Sequence, residues 1–234
     1  MRAPVPSVVS RLLAVAIMAA VVPAAAATAA APDLKPRTQP SQQAQFGKVA
    51  PSGAARSVGD WVVKSHDNGD LPFMLIDKPH ARLYVFDAAG HLQGTAPVLL
   101  GLAKGDHTVP GIGDKPLSEI ADHERTTPAG RFVAERGQNL KGHPIIWVDY
   151  DAAVSMHRVR SVGPGERRLE RLASRTAADN RISYGCINVP VAFFDNVIDR
   201  VAPGPRMMVY VLPDQQPLAQ VFGWQRVTRA STAQ

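Results

Sequence analysis

From residue 73 onward the chain is cut into short apolar runs, each closed by proline, glycine or aspartate. That punctuation constrains the fold more than any other feature. Phe73–Asp77 is apolar and lies between Pro72 and Lys78-Pro79. Arg82–Asp87 alternates Leu83 and Val85 with Tyr84 and Phe86, and Ala88-Ala89-Gly90 makes a turn before His91–Leu100 resumes. The pair reads as a β-hairpin. Gly130–Glu135, His143–Tyr150, Val154–His157 and Arg206–Leu212 are further strand candidates. Many short strands between turns predict a sandwich or barrel rather than alternating βαβ units. Two helices are expected, over Gly165–Ser174 and over Pro190–Val201, where Pro190 suits a first helical position. The fold class is therefore mainly β with a few short helices, β-sandwich-like.

The ends of the chain have a different character. Arg2 and Arg11 flank a positive start, Leu12–Val22 is apolar, and Ala24–Ala31 is nearly all alanine. Positive, apolar, then small is the order of a secretory signal peptide, with removal expected within Ala27–Ala31. Residues 32–57, rich in Pro, Gln, Ser, Ala and Gly, read as a flexible linker. The principal domain then spans 58–213, followed by a tail, 214–234, in which only Val221, Phe222 and Trp224 look able to dock. The segment 101–126, rich in Gly, Asp and Pro, is expected to be a long excursion.

Composition excludes some functions. Aromatic residues are 6% of the chain, too few for a single-stranded nucleic-acid stacking platform. The net charge is +6, and loss of Arg2 and Arg11 with the leader leaves +4, a mild bias. Zinc spacings of the His-Glu-x-x-His kind and a Ser-x-x-Lys motif are absent, and neither a metal nor a cofactor is expected.

One cysteine, Cys186, stands in a chain of 234 residues. A disulfide within the chain is thus impossible. The thiol is a buried inert group, an intermolecular link or a nucleophile. It lies in Ser183-Tyr184-Gly185-Cys186-Ile187-Asn188, directly ahead of the helix expected at 190. A cysteine beside a helix N-terminus favours the thiolate, and backbone N–H groups at Gly185–Cys186 are candidate oxyanion donors. The run Val154-Ser155-Met156-His157 ends on a histidine, the residue type best suited to exchange a proton with a thiol near neutral pH. Sequence separation alone does not pair His157 with Cys186. Thr127-Pro128-Ala129-Gly130 is a turn that launches a strand.

Together these motifs resemble the L,D-transpeptidase, or YkuD-type, catalytic domain. The hairpin Leu83-Tyr84-Val85-Phe86 is similar to the family's early strand pair. Thr127, Pro128, Gly130 and Phe132 match its Thr-Pro-x-Gly-x-Phe turn, and His157 its strand-end histidine. Ser183, Gly185, Cys186 and Asn188 match its closing motif. The resemblance runs from about Phe73 to Leu212. It implies Cys186 as nucleophile and His157 as acid and base, with Ser183, Tyr184, Gly185 and Asn188 in oxyanion or substrate binding. It implies peptidoglycan stem peptides as substrate, a second stem or a wall-anchored lipoprotein as acceptor, and no cofactor, metal or nucleic acid. Location in the periplasm or cell envelope follows from the leader. A hydrolase of the same fold and a non-catalytic wall-binding domain are the rival readings.

Two departures stand out. Tyr184 occupies the place where the family usually has histidine, and the stretch between His157 and Cys186 is longer than usual. That stretch holds seven arginines against three acidic residues. It is read as a basic lid for substrate carboxylates or, equally, as a solvated helix and loop.

Overall fold

Pairing of the short apolar runs builds one sheet of eight strands. The computed structural model describes residues 43–160 and 163–224. The strands are β1 (Phe73–Asp77), β2 (Arg82–Phe86), β3 (Leu92–Pro97), β4 (Leu100–Gly101), β5 (Gly130–Gln138) and β6 (Pro144–Asp149). They continue as β7 (Val154–Arg158), β8 (Arg181–Ser183), β9 (Ile187–Val189) and β10 (Arg206–Val211). The large sheet has the order β3-β2-β1-β10-β5-β6-β7-β9, and β4 pairs with β8 in a separate ribbon. Two pairings in the large sheet are parallel, β1 with β10 and β7 with β9; the others are antiparallel. The mainly β class expected from the sequence is what the chain adopts.

β1 is buried along its whole length because the sheet carries apolar cores on both faces. Successive side chains alternate between faces. Met74, Ile76, Leu83, Val85, Met207 and Val209 enter one core, with Ile146, Met156 and Ile187. Phe73, Leu75, Tyr84, Phe86, Met208 and Tyr210 enter the other. The first core is covered by the helical segment 191–201. That segment opens as α at Val191–Phe193, widens to a π turn at Phe194–Ile198 and closes as α at Asp199–Val201.

The second core corrects the reading of 32–57 as linker. From Ala44 on the segment is packed: Ala44 and Phe46 are buried, and Phe46 meets Tyr84 and Phe86 edge-on. A helix, α1 (Gly53–Ser65), lays Ala55, Val58, Val62 and Val63 on this face. Ser52 caps it, accepting the Ala55 N–H at 3.0 Å and donating to Asp77 at 2.6 Å. The expected leader, the first part of the expected linker and the last residues of the tail lie outside the described residues. The start of the tail does dock, through α3 (Leu218–Phe222), with Val221, Phe222 and Trp224 against the second core.

The helix expected over Gly165–Ser174 is shorter. Arg167 adopts φ 47°, which separates a 3-10 turn at Pro164–Glu166 from α2 (Arg168–Ala173). The excursion 101–126 contains three 3-10 turns, at Ile112–Asp114, Leu117–Glu119 and Asp122–Glu124.

A buried charge cluster ties this excursion to the tail. The Lys78 ammonium, fully buried, donates to Asp106 at 2.9 Å and to the Thr127 carbonyl at 2.8 Å. Arg181 donates to Asp214 at 2.6 and 3.1 Å and to the Lys78 carbonyl at 3.0 Å. Asp106 also accepts the N–H groups of Asp214, Gln215 and Gln216. Two cations thus face two carboxylates, and nearly every lone pair has a donor. That is the condition under which buried charge is tolerated.

Candidate functional site

Strand register assembles the site. β7 and β9 run parallel, with Met156 opposite Ile187 and His157 opposite Asn188. Met156 and Ile187 point into the core, so alternation turns Ser155 and His157 to the other face, with Cys186 and Asn188 beside them. The Ser155 hydroxyl lies 3.6 Å from Cys186 Sγ, and the Ala153 carbonyl 3.7 Å from it. The His157 imidazole is near enough to the thiol to favour its ionised form. Its Nδ1 lies 2.8 Å from the Arg158 carbonyl, which can only accept. Nδ1 therefore carries a hydrogen, and Nε2 is the nitrogen left to exchange a proton with sulfur. The pairing that sequence separation left open is made in space.

Electrostatics favour the thiolate. Burial opposes the charged form. The hydrogen bond and charge of His157, joined by the backbone and hydroxyl of Ser155, outweigh it and hold the Cys186 thiol below its ordinary value. The helix expected beside Cys186 takes no part by position. β9 intervenes, and helical backbone begins only at Val191. Ser155, which the sequence did not single out, is one of the groups that lower the thiol instead. Its signal was available: it lies two residues before His157 on the same strand face.

The loop carrying the sulfur is held by residues that touch one another. Gly185 adopts φ +123°, and a Cβ there would lie 2.7 Å from the Thr126 carbonyl. The Thr127 hydroxyl donates to the Gly185 carbonyl at 2.8 Å and accepts the Gly101 N–H at 2.9 Å. Ser183 Oγ accepts the Gly185 N–H at 3.1 Å and donates to the Cys186 carbonyl at 2.6 Å. Asn188 is fully buried and donates to the same carbonyl at 3.3 Å. Ser183, Thr127 and Asn188 thus shape the loop, and the Gly185 N–H is already bonded. Tyr184 packs under the Arg125 guanidinium, 4.0 Å from its ring centroid, an anchor on the excursion 101–126.

The arginines of the long stretch are largely occupied. Arg167 pairs with Glu170. Arg171 donates to the carbonyls of Glu166 and Asp179, each at 2.9 Å. Arg168 pairs with Glu166 and donates to Asn188 Oδ1 at 2.7 Å, which orients the Asn188 amide so that Nδ2 faces the Cys186 carbonyl. A basic lid built from Arg167, Arg168 and Arg171 is therefore not what these guanidinium groups form. Arg168→Ala is expected to reduce turnover about tenfold or more with little change in KM, since a charged hydrogen bond contributes roughly 1.5–3 kcal/mol. Arg168→Lys should restore part of it, and Arg167→Ala should match the wild type. A rise in KM with kcat intact would return Arg168 to substrate binding.

No family model matches the chain, and no curated protein matches it. Solved structures do. One is the helical cell shape determining protein Pgp2 from Campylobacter jejuni, at 14% identity and a TM-score of 0.43, covering 64% of this chain and 50% of that one. Another is an L,D-transpeptidase from Xylanimonas cellulosilytica, at 14% identity and TM-score 0.39, covering 61% of each chain. A third is the catalytic domain of the L,D-transpeptidase from E. faecium, at 16% identity and TM-score 0.35, covering 61% of this chain and 98% of that one. The chain spans about half of the first and three-fifths of the second.

Proposed function

We propose that the chain is an L,D-transpeptidase, a cysteine acyltransferase acting on the tetrapeptide stems of peptidoglycan. The observation that carries this reading is the Cys186–His157 pair on adjoining parallel strands, with the thiol held low. The substrate comes from the sequence resemblance. The Cys186 thiolate attacks the carbonyl of the third stem residue, and a tetrahedral oxyanion forms. The Cys186 N–H, outside the β7–β9 ladder, is the donor nearest the sulfur in the chain. His157 gives its proton to the departing D-alanine amine, leaving a thioester. The amine of a second stem or of a wall-anchored lipoprotein then attacks the thioester, and His157 takes its proton. The new amide alters cross-linking, and with it wall organisation and cell shape. The leader read in residues 1–31 supports a location in the periplasm or cell envelope.

The test is mass spectrometry of products after incubation with a disaccharide-tetrapeptide. A dimer lacking one D-alanine, absent with Cys186→Ala, is the expected result. A tripeptide alone would identify an L,D-carboxypeptidase, with water in place of the amine. Intact substrate with both proteins would sink the reading in favour of a wall-binding domain without catalysis.

A further inference from the structure

The chemistry at Cys186 leaves unexplained an open groove of ≈ 940 Å³ that reaches the turn before β7. Its wall includes Ala153, whose carbonyl lies 3.7 Å from Sγ. Two aromatic side chains furnish it. Trp147 and Tyr150 sit 5.2 Å apart with their rings inclined at 63°, and Tyr150 is 76% exposed. Gly137 makes room for the indole itself: a Cβ there would lie 2.8 Å from Trp147 Cδ1. An exposed aromatic surface of this kind gains little from water and much from an apolar ligand face.

The polar lining narrows the ligand. Asp114, Gln138 and Asp151 line the groove, and their side-chain oxygens and nitrogen make no hydrogen bond to protein among the described residues. Planar carboxylates and amides beside aromatic faces suit vicinal hydroxyls on a ring with an apolar C–H face. Asp114 and Asp151 are balanced by Lys141 and Arg160, so the groove carries no net charge toward a ligand. A stem peptide, with its carboxylates, finds no excess cation there. It finds no sheet edge either, because β5, β6 and β7 all lie inside the sheet.

We propose that this groove binds an uncharged polysaccharide strand, stacking pyranose rings on Trp147 and Tyr150. Under the function proposed above, that strand is the glycan backbone of the substrate, held so that its stem reaches Cys186. The assignment of the glycan rests on that reading; the binding of a sugar chain does not.

Calorimetric titration of Cys186→Ala protein with the β-1,4-linked tetramer of N-acetylglucosamine tests it without any turnover. Saturable binding is expected, and Tyr150→Ala should weaken it at least about tenfold, since losing one stacked ring is worth roughly one decade of affinity. Trp147→Ala should act likewise. Tyr150, being exposed, is the variant that leaves the fold intact, and an unchanged melting temperature checks this. No saturable heat, or equal affinity in Tyr150→Ala, would overturn the proposal. So would displacement of the tetramer by a free tetrapeptide, which would make the groove a peptide site. Sugar binding without transpeptidation would overturn only the preceding reading, and transpeptidation without sugar binding only this one.

Discussion

Asp106→Asn is expected to lower the free energy of unfolding by about 3–5 kcal/mol, the usual cost of removing one partner from a buried ion pair. The change leaves the Lys78 ammonium, fully buried, without its closest counter-charge. It also weakens the acceptor of three backbone N–H groups in the tail. Urea denaturation reads the loss directly. The pH dependence gives a second, independent signature. Burial pushes the Asp106 carboxyl up, but the Lys78 hydrogen bond and the three amides outweigh it and hold it at about 2, below its ordinary 3.8. A depressed folded-state value means stability that is fully present above 3.8 and lost as pH falls through about 2. The wild type should therefore shed roughly 2 kcal/mol across that window from this group, a loss missing in Asp106→Asn. Equal urea midpoints, or equal acid slopes, would show that the cluster does not stabilise the fold.

That cluster also shows where sequence reading ends. Lys78, Asp106, Arg181 and Asp214 are scattered along the chain, and each alone is an ordinary surface residue type. Their meeting is a product of long-range pairing, in particular β4 beside β8. Seven strands of the large sheet, all but β9, were legible because apolar alternation and turn residues are local signals. β8 and β9 were not, being three residues each with pairings set by distant partners. α1 was lost for another reason. Its Pro, Ser, Gly and Ala background suited a linker, whereas a helix on a core needs only one apolar stripe. Ala55, Val58, Val62 and Val63 supply that stripe, and Ser52 marks its start.

The site divides the same way. Cys186 and His157 were singled out by motif, but the reason they lie on one face of the sheet is the parallel register of β7 on β9, which no local pattern encodes. Thr127 read as part of a turn. Its role emerges only because β5 begins where the hydroxyl can bridge Gly101 and the cysteine loop. The buried Lys78 donates to the carbonyl of that same residue, so the charge cluster braces the cysteine loop as well as the tail.

His157→Gln should slow alkylation of Cys186 by iodoacetamide at neutral pH at least about tenfold, because the thiolate is the reacting form. Burial opposes the thiolate, and the His157 hydrogen bond and charge are the largest influences favouring it. Without them the pH midpoint of alkylation should move up. Ser155→Ala removes a smaller contribution and should move the midpoint in the same direction by less. Turnover should fall further than alkylation does, by about 100- to 10,000-fold, since loss of the histidine also removes the acid that protonates the leaving amine and the base that activates its successor. Alkylation isolates the first task and transpeptidation sums both, so the difference between them measures proton transfer. An alkylation profile in His157→Gln that overlays the wild type would sink the pairing, and with it the thiolate reading of Cys186.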